Sequence, residues 1–401
     1  VMTLYRCAKL EWMNTMLPAL PRTFGRLTDV LSSSLGAITG QDNRLGFAKA
    51  KRVVAILVDG LGAQNLKAAG GHAPFLNAAL AVAKPAACGF PSTTATSITS
   101  FATGLSAGQH GLVGYKVFER VGGESGTGND GRAANLLTGW GADQNPLEWQ
   151  PNQTVSELAS SSGVQAFVIG PKAYDGSGFT QATMRGAKYL PGKTIDDRID
   201  VAIQLLRENK NDILVYLYIP ELDQTAHAFG AESSKWLAAL ESVDAAAKRL
   251  SGALSKADAL LLTADHGIVD VPAHAHILLD EVQMDWTRVA SVGGDPRVNF
   301  IYLNDPTETS AFQAQLQEQL GDSVAVFSKA DAVAYGLYGA NLAAVALERM
   351  PDIFALAVKR VALYHRDYAP AKSLQMIGQH GALTPQEMAI PLLGWGAFSS
   401  I

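Results

Sequence analysis

From residue 52 onward, short runs of β-branched and aliphatic residues alternate with longer stretches whose apolar positions recur at helical spacing. The runs at 52–58 (RVVAILV), 165–169 (QAFVI), 213–219 (ILVYLYI), 257–263 (ADALLLT) and 390–393 read as buried strands. Between them, 196–208 and 233–254 read as amphipathic helices, the second rich in Ala and Leu. This alternation predicts an α/β fold, a three-layer α/β/α sandwich on a mostly parallel central sheet.

Two stretches break the rhythm. Residues 108–153 are dense in Gly, Asn and Asp and weakly periodic, which predicts an excursion over one face of the domain. Residues 305–364 carry helix and strand signals of their own, at 308–320, 323–327 and 354–358, and are expected to form a small inserted cap or side lobe. The expected organisation is one domain over 1–401, its core formed by about 45–304 and 365–401. There is no internal repeat or low-complexity segment.

With 401 residues, 48% of them hydrophobic, the chain can bury a sizeable core. A net charge of −5 without a long basic tract argues against binding polymeric nucleic acid. Cys7 and Cys88 are the only cysteines, so a multi-cysteine metal site is impossible and any metal must sit on His and carboxylates. Charged residues scattered through 1–36 leave no clean signal-peptide core, and no stretch is apolar for long enough to span a bilayer. A cytoplasmic location without a membrane span is therefore the expectation.

In an open α/β sheet, ligands gather beyond the carboxyl ends of the strands. The run at 52–58 ends in Asp59-Gly60, that at 213–219 is followed by Asp223 and His227, and that at 257–263 runs into Asp265-His266-Gly267. Gly378-Gln379-His380-Gly381 adds another imidazole before the last strand. Three aspartates converging on one edge would repel and lose solvation unless something positive lay between them. Mixed carboxylate and imidazole donors without thiolate suit Zn²⁺ or Mn²⁺ better than Ca²⁺ or Mg²⁺. Six such donors are too many for one tetrahedral zinc and about right for two divalent ions. The segment from Gly89 to Thr99 (GFPSTTATSIT) supplies a cluster of hydroxyls at the expected start of a helix, where free amide N–H groups favour a phosphate. A threonine there could attack phosphorus, with Ser92, Thr93, Thr94 and Thr96 all in range.

These motifs, in this order, resemble those of the nucleotide pyrophosphatase/phosphodiesterase (type I phosphodiesterase) family of the alkaline phosphatase superfamily. The resemblance spans about 53–393 and rests on Val58-Asp59-Gly60, Phe90-Pro91-Ser92-Thr93-Thr94 running to Thr103-Gly104, His110-Gly111, Glu221-Leu222-Asp223 with His227, Thr263-Ala264-Asp265-His266-Gly267, and Gly378-Gln379-His380-Gly381. It implies an alkaline phosphatase-like fold, and two zinc ions: one held by Asp223, His227 and His380, the other by Asp59, Asp265 and His266, with Thr94 as nucleophile and ligand of the second. It implies cleavage of phosphodiester or pyrophosphate bonds through a phosphothreonine intermediate, on a small phosphorylated substrate of nucleotide type.

The chain departs from the family pattern where an Asn usually donates to phosphate. Tyr115 stands there, and its phenol could donate instead. Ala226 replaces a frequent Gly before His227. A C–P hydrolase resembling phosphonoacetate hydrolases is the neighbouring reading, with Lys116 and Lys172 as the candidate carboxylate grips. A phosphomonoesterase and a non-catalytic binding module are further alternatives. His274 and His276, Tyr174 and Asp175 border the expected site without a motif that assigns them a role, and His110 and Cys88 are expected to be structural.

Overall fold

The computed structural model describes residues 17, 25–120, 131–141 and 144–399; Cys7 and parts of the 108–153 excursion lie outside these. The strands of the two larger sheets are β1 (Arg52–Val58), β2 (Gln165–Gly170), β3 (Lys188–Pro191), β4 (Ile213–Ile219), β5 (Asp258–Thr263), β6 (Val289–Asp295), β7 (Val298–Leu303), β8 (Val324–Ser328), β9 (Ile353–Ala357) and β10 (Leu392–Gly396). The principal helices are α1 (Leu27–Thr39), α2 (Thr94–Thr103), α3 (Val155–Ser161), α4 (Ile195–Glu208), α5 (Glu221–Phe229), α6 (Ser234–Ser251) and α7 (Thr309–Leu320).

The central sheet runs β10-β5-β1-β4-β2-β3 and is parallel except for β10, which pairs antiparallel with β5. Its middle strands are mostly apolar because both faces are covered, as parallel sheets require. One set of helices, α1, α2 and α3, packs together on the sheet, and a second, α4, α5 and α6, forms the other layer. This is the expected three-layer sandwich. Among the described residues no helix is long and apolar enough to cross a membrane.

The second sheet, β6-β7-β9-β8, is antiparallel. The expected lobe began at 305, but two of the four strands, β6 and β7, precede that residue. Their alternation explains how the sheet is seated. Ile301, Leu303, Val324, Val326 and Ile353 face Phe312 and Leu316 of α7, whereas Phe300, Tyr302, Phe327 and Phe354 face the main core. With period two, every strand buries one set of side chains under α7 and the other against the domain. A short hairpin, Lys116–Arg120 with Gly131–Asn135, lies beside β6, and the carbonyl of Lys116 comes so near Gly293 that a Cβ there would stand 2.3 Å from it.

Candidate active site

The chain reverses direction immediately after β1, β4 and β5, and these reversals deliver the polar residues to one edge. Asp59 follows Val58 directly. The next residue, Gly60, has φ +73°, and a Cβ on it would meet the Asp223 backbone at 3.2 Å, so the turn needs glycine here. Asp223 and His227 stand one helical turn apart on α5, with Nε2 of His227 3.2 Å from an Asp223 oxygen. Gly267, after His266, passes so close to the Gln386 carbonyl that a Cβ would stand 2.0 Å from its oxygen. Helix α2 starts at Thr94, with Thr93 as its cap in extended conformation and Gly104 closing it at φ 71°.

Asp59, Asp265 and His266 form one cluster, and Asp223 and His380 reach the same His266 from the other side. Nε2 of His266 lies 3.4 Å from both Asp59 and Asp265 and 3.1 Å from the Thr94 hydroxyl. That hydroxyl is 3.5 Å from Asp59. The His266 and His380 rings stack at 3.8 Å, and His227 lies 5.2 Å from His380. Thr94 and all six residues expected at the strand ends are thus assembled in one place. All are buried except His227, which is half-buried.

The Nδ1 atoms of His227, His380 and His266 lie 2.7 Å, 3.0 Å and 3.1 Å from the carbonyls of Gly378, Ser92 and Gly267. With the Nδ1 protons donated there, each Nε2 lone pair faces the cluster, the orientation that second-sphere partners impose on metal-ligating histidines. Oδ1 of Asp223 and Oδ2 of Asp265 are buried without a hydrogen-bond partner. Orphaned carboxylate oxygens opposite bare imidazole nitrogens fit divalent cations, and the clusters could hold them.

The electrostatics agree. Burial, with Asp265 and Asp223 close by, pushes the Asp59 carboxyl well above the usual carboxylate range. Burial also raises Asp265, against the pull of His266. Burial would raise Asp223 too, but the imidazoles of His227, His380 and His266 outweigh it and hold this carboxyl low. Burial lowers His227, yet Asp223 more than compensates and lifts it. His380 is pushed well below its ordinary value by burial and by His266.

Tyr218 and Asp295 were not singled out in the sequence, and Ser92 only as a candidate hydroxyl. Tyr218, at the end of β4, donates its hydroxyl to Oδ2 of Asp59; the signal was two tyrosines at alternate positions in an otherwise aliphatic run. Ser92 holds His380 through its carbonyl and Gly381 through its Oγ at 3.1 Å, tying the last histidine to the segment that carries Thr94. Asp295, at the end of β6, accepts from the Thr93 hydroxyl at 3.1 Å and is raised to about 7 by burial.

Tyr115 and Lys116 line a cavity with Thr94. The Tyr115 hydroxyl accepts from Asn135 at 2.8 Å, and burial raises its pKa. Lys116 donates to the Tyr368 carbonyl at 2.7 Å, and burial lowers its pKa. Lys172 is exposed and paired with Asp175, away from the cluster. His274 is exposed and His276 packs on Tyr364, both outside the two clusters. His110 is buried between Ser100 and the Leu112 amide, and Cys88 is in the core. On the Asp59 side of Thr94 a second cleft, about 510 Å³, is lined by Trp140, Tyr174, Phe179 and Tyr189.

Residues 53–383 match the family model described as type I phosphodiesterase / nucleotide pyrophosphatase. Among solved structures, murine ectonucleotide pyrophosphatase/phosphodiesterase 5 superposes with a TM-score of 0.64 at 18% identity, over 86% of this chain and 87% of that one. The human protein of the same name gives 0.62 at 16% identity, over 86% and 87%. An inactive threonine-to-alanine form of the murine protein, in complex with AMP, gives 0.62 at 17% identity, over 86% and 88%. A search of curated proteins finds no match. At these identities the superpositions establish an alkaline phosphatase-like fold, and the family match establishes the rest: this chain belongs to the type I phosphodiesterase/nucleotide pyrophosphatase family, hydrolases of phosphoester bonds.

Proposed function

We propose that the protein hydrolyses phosphodiester or pyrophosphate bonds of nucleotide-type substrates, with Thr94 as nucleophile beside two divalent cations. Asp59, Asp265 and His266, which form one cluster, would hold one cation together with Thr94, and Asp223, His380 and His227, the last 3.2 Å from Asp223, would hold the other, zinc being the best fit to these donors. When bound, the pair would lower the pKa of the threonine hydroxyl and neutralise charge on the leaving oxygen.

The observation that carries the reading is the position of the Thr94 hydroxyl. It sits at the first residue of α2, 3.1 Å from His266 and 3.5 Å from Asp59, with the free amides of the helix start beside it. Thr94 Oγ1 gives its proton to solvent and attacks phosphorus, the opposite P–O bond breaks, and the leaving oxygen keeps the electron pair and takes a proton from solvent. A water then gives up a proton and attacks the phosphothreonine from the vacated side, the P–Oγ1 bond breaks, and Oγ1 takes a proton to restore the hydroxyl. The aromatic cleft beyond Asp59 offers a stacking surface for a nucleobase. The murine relative, inactive as a threonine-to-alanine variant and holding AMP, supports both the nucleophile and the substrate class.

Release of p-nitrophenol by zinc-loaded protein tests this, using bis(p-nitrophenyl) phosphate, the p-nitrophenyl ester of thymidine 5′-phosphate, and p-nitrophenyl phosphate. Turnover of the diesters above the monoester, lost in Thr94→Ala, is expected. Preference for the monoester, or full activity in the variant, would overturn the assignment.

A further inference from the structure

Two cavities flank Thr94, and their chemistry differs. The aromatic cleft lies on the Asp59 side. The other, about 460 Å³, is walled by Asp223, His227 and His380 and reaches the turn between β6 and β7. On that turn Asp295 and Asn299 are each only 5% exposed, and both line the cavity. Asp295 uses Oδ1 to accept from Thr93. Asn299 uses its amide N–H groups on the carbonyls of Asp295 at 2.7 Å and Leu363 at 3.3 Å. What remains is Oδ2 of Asp295 and Oδ1 of Asn299, both buried without a hydrogen-bond partner; Asn299 Oδ1 accepts, and Asp295 Oδ2 accepts when ionised and donates when protonated, either of which a hydroxyl can answer.

A buried polar oxygen left unmet forfeits its hydration without a replacement, so two of them on one wall of a cavity point to a ligand that forms hydrogen bonds with them. Donors come as ammonium groups or as hydroxyls. Lys116 lines the same cavity, with its ammonium on the Tyr368 carbonyl at 2.7 Å, and sets one positive charge beside the Asp223 and Asp295 carboxylates, so hydroxyls suit the wall better than a further cation. His365, buried and with both ring nitrogens unpartnered, can donate or accept, as hydroxyl recognition requires. The volume lies within the range of ordinary small-ligand sites.

We propose that this cavity receives the leaving group of the substrate, and that Asp295 and Asn299 select a leaving alcohol bearing at least two further hydroxyls, of glycerol to monosaccharide size. The inference rests on Thr94 as nucleophile: in-line attack expels the oxygen opposite Thr94, toward His227 and His380, which line this cavity and not the aromatic cleft, while Asp223 stands between the two and lines both. The retained half of the diester lies against the aromatics and the departing half among the acceptors.

The test compares two thymidine 5′-phosphate diesters, one of glycerol and one of 2-methoxyethanol. They share the retained group and an electron-withdrawing oxygen on the leaving group and differ in donor hydroxyls. The p-nitrophenyl ester run alongside reports whether diester hydrolysis occurs at all. A kcat/KM for the glycerol ester at least about tenfold above the methoxyethyl ester is expected, falling toward parity in Asn299→Leu and in Asp295→Asn. Turnover of the p-nitrophenyl ester with equal rates for the other two in the wild-type protein would refute the inference while leaving the diesterase reading intact. So would a preference that survives in a folded Asn299→Leu variant. No turnover of the p-nitrophenyl ester would sink the diesterase reading and this inference with it.

Discussion

Replacing Tyr218 by Phe removes one oxygen and leaves the ring between its neighbours Tyr174 and Tyr216, at 6.0 Å and 6.1 Å. The lost hydroxyl is the donor to Oδ2 of Asp59, whose other oxygen has only the longer contacts to Thr94 at 3.5 Å and His266 at 3.4 Å. A hydrogen bond to a charged group contributes about 1.5–3 kcal/mol, and the outer partners of ligating groups are worth about 10- to 100-fold in metal affinity; the two figures agree at about 1.4 kcal/mol per decade. Zinc should therefore leave the Asp59, Asp265 and His266 cluster about 10- to 100-fold more readily in Tyr218→Phe, while the Asp223, His227 and His380 cluster, which Tyr218 does not touch, keeps its affinity. Competition with a chelating zinc indicator at fixed pH resolves the two affinities. Diesterase activity should fall at limiting zinc and largely return at saturating zinc, which a general packing defect would not reproduce. Unchanged affinity at both clusters would refute the argument that Tyr218 orients Asp59.

Four other outcomes are expected. Thr94→Ala should keep both zinc ions by elemental analysis and lose turnover about a thousandfold or more, since it removes the hydroxyl that stands 3.1 Å from His266. Asp265→Asn should lose metal together with activity, because it replaces a fully buried carboxylate whose free oxygen faces His266 at 3.4 Å. Arg297 and Glu387 form a buried pair at 2.9 Å that joins β7's start to the last core segment, so Arg297→Met should cost about 3–5 kcal/mol by urea unfolding, with partial recovery when Glu387→Gln is added. His110, buried and lowered to about 3, is neutral in the folded protein and gains a proton on unfolding below about pH 6.5. Stability is lost as pH falls through that value, by about 2 kcal/mol between pH 7 and 5. His110→Asn, which can keep an acceptor for the Leu112 amide, should flatten that dependence in paired urea titrations.

The parts of the fold that were legible are those where one physical demand dominates. β1, β4 and β5 are buried on both faces, so only apolar residues are tolerated and the runs stand out. The edge strand β3 did not, because KYLP is half exposed and mixes a lysine and a proline with two apolar residues. Helix α1, with Ser32, Ser33 and Ser34 in its middle, carries weak helix formers, and its place is set by packing against α2 rather than by propensity. β6 ends in Gly-Gly-Asp before Pro296, which reads as a turn, and its Gly293 serves a close approach by the Lys116 carbonyl, and Gly294 one by the Val298 carbonyl, that only the folded chain reveals.

The same distinction separates the residues of the site. Asp59, Asp223, Asp265 and His266 were legible as candidates because the parallel sheet fixes where its strands end: one Asp there is an ordinary cap or turn residue, but several Asp and His at neighbouring ends are not. His380 and Thr94 needed the ordered motif, since nothing in a short strand or a hydroxyl cluster says which sheet edge it will meet. Asp295 and Asn299 had no such signal: in sequence they flank a turn and a strand, ordinary places for Asp and Asn. Their significance comes from what the fold does to them, burying one oxygen of each against a cavity while every other polar atom of the pair is satisfied. The chemistry shared by a family is thus written where strands end, and the choice of leaving group, if Asp295 and Asn299 make it, is written in acceptors that only the second sheet brings to the site.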